Sequence, residues 1–242
     1  MYLEQMKTTD FKSDEKYTFV IPMGATEQHG PFLPLGTDSF IQDKIIELAE
    51  TSLPNVIFLP TLRITCSKEH QGFPGSVWIE KDAMELILKN ICESLAPQAK
   101  NIAIVSWHGG NISTVNRFVE KYKTSFRPLR LEYIQMDSEE TLEKTRALLR
   151  GGPVDEHAGN SEISMMLACD KALVSVPPKD YPKQTIENAW DTDRLVDVSK
   201  DGIIDNHPDW IIDNNIGQRC LLMAAQELKE GIEKMLHADV QR

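Results

Sequence analysis

Cysteine is scarce in this chain of 242 residues, with four in all at Cys66, Cys92, Cys169 and Cys220, each standing alone. Without a C-x-x-C pair or a dense framework, a disulfide-stapled scaffold is excluded, and the thiols read as reduced and mostly buried. Long apolar runs are also missing. No stretch approaches the ~18–20 residues that a membrane-spanning helix needs, and residues 1–14 are polar and charged, unlike a signal peptide. A cytoplasmic protein is the expectation. Positive charge is in deficit, 26 Lys+Arg against 37 Asp+Glu, for a formal net charge of −11. A general nucleic-acid binder needs a basic face to neutralise phosphates, and an anionic membrane would repel this chain. Neither is an expected partner, whereas cations stay open.

What is present is the composition of a soluble globule, 41% hydrophobic and 26% charged. The length suits one generous α/β domain or two small ones. No composition shift, internal repeat or low-complexity tract divides it, so the expectation is a single domain over residues 1–242. Short apolar runs alternate with amphipathic stretches. Strands are predicted at 17–22, 56–59, 101–106, 130–136 and 172–176; helices at 39–51, 83–95, 114–126, 139–149, 161–169 and 216–236. Strand, loop and helix in repetition predict an α/β/α sandwich with a mostly parallel central sheet. Residues 177–209, rich in Pro, Asp and Asn, read as loops that finish a site or an interface. Ligands of such sheets collect beyond the carboxyl ends of the strands, which directs attention to the segments after Pro22, Pro60 and Ser106.

Three segments carry candidate chemistry. Gly24 to Asp38 reads GATEQHGPFLPLGTD, with Glu27, His29 and Asp38 among two prolines and three glycines. A stiff loop with carboxylates and imidazole suits a divalent ion, although the same residues also suit an ordinary polar loop. SWHGGN, from Ser106 to Asn111, puts His108 at another strand end, where the glycines could simply form a helix-start turn. DEHAGNSE, from Asp155 to Glu162, offers His157 and Glu162 before a helix; the alternative is an N-cap by Asn160 or Ser161, with Glu162 favouring the helix dipole. Together, three acids and three imidazoles at loop ends fit a two-metal hydrolytic site in which one carboxylate bridges the ions and one His serves as general acid/base.

On these motifs the sequence resembles the creatininase (creatinine amidohydrolase) family. T-E-Q-H-G-P-x-L-P-L-G-T-D runs unbroken from Thr26 to Asp38. EHQGFPGSV, Glu69 to Val77, is similar to the family's E-H-x-x-F-P-G-T segment, HGGN at His108–Asn111 to its second metal motif, and HAGNSEIS at His157–Ser164 to H-A-G-x-x-E-T-S. DGII, NHPDW and NNIGQR loosely resemble its later segments. The resemblance implies a parallel sheet flanked by helices, two divalent ions per subunit (Zn, Mn or Fe), and a homo-oligomer, often a hexamer. It implies that Glu27, Asp38 and His108 hold one ion and His29, Asp38 and Glu162 the other, with Asp38 bridging. His157 becomes the acid/base with Glu156 in support.

The sequence departs from the family pattern at several points. Ser106-Trp107 stands where N-G is usual, and Gly110 where creatininases carry an acid, which brings the chain nearer the HGGN branch and away from creatinine. Asn160 and Ile163 replace an acid and a Thr around Glu162. Trp107 and His70 are candidate substrate contacts; packing under the sheet is the alternative for Trp107, an interface or structural loop for His70. His207 reads as exposed and not a ligand. The expected activity is hydrolysis of a non-peptide or cyclic amide C–N bond in a small molecule by metal-bound hydroxide. The alternatives are a formamide deformylase or small-peptide peptidase of cofactor biosynthesis, or a metal-binding subunit without catalysis.

Overall fold

A computed structural model of the protein describes residues 1–53 and 55–237. Pro54 and residues 238–242 of the single-domain span expected above lie outside the described residues. Strands β1 (Tyr17–Met23), β2 (Val56–Phe58), β3 (Ala99–Ser106) and β4 (Arg130–Ile134) form one sheet in the order β2-β1-β3-β4, with every neighbouring pair parallel. The sequence of β1, YTFVIPM, is buried throughout, as a strand covered on both faces requires.

Successive side chains point to opposite faces of the sheet, and each face finds its own cover. Val20, Ala103 and Val105 pack with α1 (Thr37–Glu50), α5 (Asn160–Asp170) and α6 (Asn214–His237). Phe19, Ile21, Ile102 and Ile104 pack with α2 (Lys81–Leu95) and α3 (Ile112–Tyr122). The shorter α4 (Glu139–Leu148) lies against α6. This is the expected α/β/α arrangement, and no helix among the described residues is long and apolar enough to cross a membrane.

Two local expectations are overturned. Residues 172–176 do not form a strand: a 3₁₀ turn, Lys171–Leu173, follows α5, and a backbone bond from Ser175 N–H to the Phe32 carbonyl (2.9 Å) replaces strand pairing. Leu173 and Val176 are exposed there, so the apolar run does not bury these side chains against the sheet. His207 is buried, with ring nitrogens 2.9 Å from the carbonyls of Leu149 and Asp209. The irregular segment folds back over the domain instead of standing out in solvent, and Ala189, Leu195 and Ile204 form a small core of their own.

Candidate metal centre

The loop after β1 carries Glu27 and His29 and leads into α1, whose first turn holds Asp38. Gly24 makes this compact: a Cβ there would run into the Ser39 backbone, so loop start and helix start touch. His108 follows β3, immediately before the 3₁₀ turn Gly109–Asn111. The segment after β2 contributes the 3₁₀ turn Lys68–His70. Glu162 lies in the first turn of α5. His157, just ahead of it, exchanges backbone bonds of 3.1 and 2.9 Å with Ile204. Asp155 caps α5, accepting from the N–H groups of Gly159, Ser161 and Glu162 at 3.2, 2.6 and 3.3 Å; neither Asn160 nor Ser161 takes that role.

These segments converge. Asp38 Oδ1 lies 3.4 Å from His29 Nε2, and its Oδ2 lies 3.4 Å from His108 Nδ1, so the two carboxylate oxygens face two different imidazoles. Glu162 Oε2 is 3.8 Å from His29 Nε2. Glu27 is fully buried, with Oε1 3.1 Å from His70 Nε2 and 3.8 Å from His157 Nδ1, and Oε2 3.3 Å from His108 Nε2. Those neighbours are close but misdirected. Glu27 Oε1 and Oε2, His29 Nε2 and Asp38 Oδ2 are all buried without a hydrogen-bond partner.

Hydrogen bonds fix where the imidazole lone pairs point. His29 Nδ1 is held 3.2 Å from the Glu27 carbonyl, which leaves Nε2 for Asp38 and Glu162. His108 Nε2 is 2.7 Å from the Cys66 carbonyl, which leaves Nδ1 for Asp38. His157 Nε2 is 2.8 Å from the Gln28 carbonyl, which leaves Nδ1 on the side of Glu27.

The electrostatics are those of a site short of positive charge. Burial pushes the Glu27 carboxyl well above the ordinary range, and Asp38, Glu69 and Glu162 push the same way. Burial likewise raises Glu162, to about 7, against the pull of His29. For His29 burial opposes the charged ring, but Asp38 and Glu162 outweigh it and lift the value to about 9. Asp38 is held below its ordinary value: burial acts against ionisation, and His29, His108 and His70 prevail. Burial and neighbouring imidazoles depress His70 and His157, so both are neutral.

A buried carboxylate with no donor costs several kcal/mol unless a cation compensates it. The donor set fits divalent ions on that ground. Glu27–His29–Asp38, His29–His157–Glu162, Glu27–Glu69–His108 and Glu27–His70–His157 each present ligand atoms within 4.8 Å of one another.

The cluster forms the floor of a cleft of about 440 Å³, with walls that include Trp107, Gly109, Gly110, Glu156, Trp190 and Thr192. Trp107 therefore stands at the cleft, and His70 lies at its base. The exposed Glu156 accepts a 2.6 Å hydrogen bond from Trp190 Nε1, and Trp190 packs edge-on against the His157 ring.

Three contributors were not legible in the sequence. Gln28 Nε2 is 3.0 Å from His70 Nδ1 and donates to the Gly202 carbonyl at 3.1 Å, tying the His70 ring to the irregular segment, while His157 Nε2, which donates to the Gln28 carbonyl, lies 2.9 Å away. Glu69 comes within 3.6 Å of His108 Nε2. Its position beside His70 in the EHQGFPGS motif was the available signal. Trp190 lies in a region without periodicity, where an aromatic residue reads as pocket wall, subunit contact or packing alike.

Gly110 explains how Glu69 reaches in, since a Cβ at 110 would overlap the Glu69 carboxylate, His108 Nε2 and the Cys66 carbonyl oxygen. A Gly110→Ala variant is expected to displace His108 and weaken metal affinity by about 10–100-fold, the scale of lost support around a ligand. Competition with a chelating dye measures this, and unchanged affinity would refute it.

The family profile described as Creatininase: Creatinine amidohydrolase matches residues 4–232. The chain is 32% identical over 165 residues to the mycofactocin precursor peptide peptidase of Mycobacterium ulcerans (strain Agy99), a match covering 65% of this chain and 60% of that protein. The protein of the same name from Mycolicibacterium smegmatis (strain ATCC 700084 / mc(2)155) is 35% identical over 101 residues, 40% of this chain and 41% of that one. The matches thus span well under two thirds of these relatives' length. Among solved structures, a creatinine amidohydrolase (creatininase) superposes with a TM-score of 0.72 at 16% identity, covering 97% of each chain. Another, named Creatininase Mn, gives 0.71 at 15% identity, covering 97% of this chain and 98% of that one. At such identities the likeness is one of fold.

Proposed function

The chain belongs to the creatininase family, and from that premise we propose that it is a two-metal hydrolase that cleaves an amide C–N bond in a small substrate. The observation that carries this is Asp38, buried, with one oxygen against His29 and the other against His108. A carboxylate so placed would suit two ions at once. In this reading Glu27, Asp38 and His108 would hold one ion, and His29, Asp38 and Glu162 the other. Divalent ions there would supply Lewis acidity and lower the pKa of a water.

The remaining work falls to the protein. His157, neutral and anchored through Nε2 to the Gln28 carbonyl, keeps Nδ1 free on the side of Glu27. It is placed to serve as general acid/base toward the leaving nitrogen. Glu156 acts through Trp190, holding the indole against the His157 ring. Trp107, Gly109 and Trp190 line the cleft that would take the substrate, and His70 Nε2 lies 3.1 Å from Glu27 Oε1.

The first reading of the bond is a non-peptide or cyclic amide. A short peptide is the second, favoured by the name of the relatives that share about a third of the aligned residues. The experiment is to strip the protein of metal, reload it separately with Zn, Mn and Fe, and offer creatinine, a formylamino-pyrimidine and a short peptide. The expected result is metal-dependent release of amine or formate from one class and none from chelated protein. Two bound ions with no turnover on any class would instead leave a metal-binding subunit without catalysis. The same reading includes a cytoplasmic homo-oligomer, which light scattering of the purified protein checks in its oligomeric part.

A further inference from the structure

A second cavity of about 200 Å³ adjoins the metal cleft. The two share Trp107, Gly109, Glu156 and Glu162 as lining residues, so Trp107 stands as a partition between them. The apolar part of the second cavity's lining comes from Ile112 on α3, Met136 after β4, Leu142 on α4, Met165 on α5 and Cys220 on α6, among others. Among the described residues no Lys, Arg or His lines the cavity.

Most of its polar groups already have partners. Thr141 Oγ1 donates to Glu227 at 2.6 Å, Thr145 Oγ1 to the Thr141 carbonyl at 2.9 Å, and Asp155 caps α5. Asp137 differs. Its carboxyl is partly buried and forms no ion pair among the described residues; Gln135 and its own backbone are its hydrogen-bonding neighbours, and the nearby Glu227 carries the same sign. An anionic ligand would meet acids and no cation among the described lining residues, and a neutral hydrocarbon would leave Asp137 uncompensated.

A cavity of about 150 Å³ with apolar walls takes up benzene, so this one accommodates a ring with one or two further atoms. We propose that the cavity is a substrate subsite for a ring-sized apolar group bearing a protonated amine, with the ring against Met136, Leu142 and Met165 and the ammonium on Asp137. Resting on the hydrolase reading, this assigns the substrate class: a small amide or short peptide whose scissile bond lies at the metal centre and whose cationic, ring-bearing end passes Trp107 into the second cavity.

The test is calorimetric titration of the metal-loaded protein with benzylammonium and with its uncharged counterpart, benzyl alcohol. Benzylammonium is expected to bind at least about tenfold more tightly, on the scale of one charge-assisted hydrogen bond. Asp137→Asn, which keeps the shape, should remove that preference and retain benzyl alcohol binding. Leu142→Trp, at a partly exposed position, should fill the cavity and remove both. The proposal is overturned if neither compound binds, if the two bind alike to the unmodified protein, or if either variant leaves benzylammonium binding unchanged. Binding heat does not depend on turnover. A protein that binds benzylammonium through Asp137 but hydrolyses nothing refutes the hydrolase reading alone, and one that turns over an amide without amine preference refutes the subsite alone.

Discussion

An Asp38→Ala variant should lose nearly all amide hydrolysis, on the order of a thousandfold or more, together with its bound metal. The size follows from what the residue does in the proposed site. Metal ions contribute several kcal/mol of transition-state stabilisation, and each ~1.4 kcal/mol is a factor of ten in rate. Asp38 is the carboxylate that addresses both imidazole groups, at 3.4 Å from His29 and 3.4 Å from His108, so its removal affects both ions at once. Elemental analysis of the purified variant and its turnover are the measurements, with circular dichroism to establish that the fold is kept. Full metal content with full activity would dispose of the mechanism. Loss of activity with both ions retained would keep the site but remove the bridging role.

Glu27→Gln should raise the stability of the metal-free protein while abolishing the stabilisation that metal provides. Glu27 is fully buried, and among the described residues neither oxygen has a well-aligned hydrogen-bond donor. An uncompensated buried group of this kind costs roughly 1–3 kcal/mol or more. The amide of Gln has the same shape without the charge, so the part of the cost that comes from repulsion by Asp38, Glu69 and Glu162 falls away. For a chain of this size ~1 kcal/mol moves Tm by about 2–4 °C, and a rise of roughly 3–10 °C is expected in the absence of metal. The unmodified protein should respond in the opposite way to loading. Ions at about 100 to 1,000 times Kd add ~2.7–4.1 kcal/mol, or about 5–15 °C, and the variant should gain little of this. Calorimetry with and without metal gives all four values. A metal-free variant less stable than the unmodified protein would show that Glu27 is held by protein contacts and is not waiting on a cation.

Much of this arrangement was visible before any coordinates. The buried strands betray themselves as continuous apolar runs, because a parallel sheet covered on both faces has no polar side to alternate with. The helices show their 3.6-residue period. Where that logic failed, a neighbour decided the outcome: Ser175 bonds to the Phe32 carbonyl in place of a strand, and the His207 ring is received by the distant Leu149 carbonyl together with the nearby one of Asp209. The cap of α5 fell to Asp155, several residues outside the expected position, because the loop curls back to bring its carboxylate under three N–H groups.

The types of donor and their places at strand ends were thus set within short stretches of sequence, as were the α/β class and the acidic, cation-tolerant character of the chain. Those properties depend on periodicity and on residues a few positions apart. Which oxygen faces which nitrogen is another matter. Gln28 and His157 meet across 129 positions, and Gln28 and His70 across 42. Such encounters are fixed only when both layers of helices have packed against the sheet. The entry of Glu69 beside Gly110, the indole of Trp190 on His157 and the second cavity behind Trp107 have the same origin. Each is a relation between segments, created by burial of the two apolar faces, and no local pattern carries it.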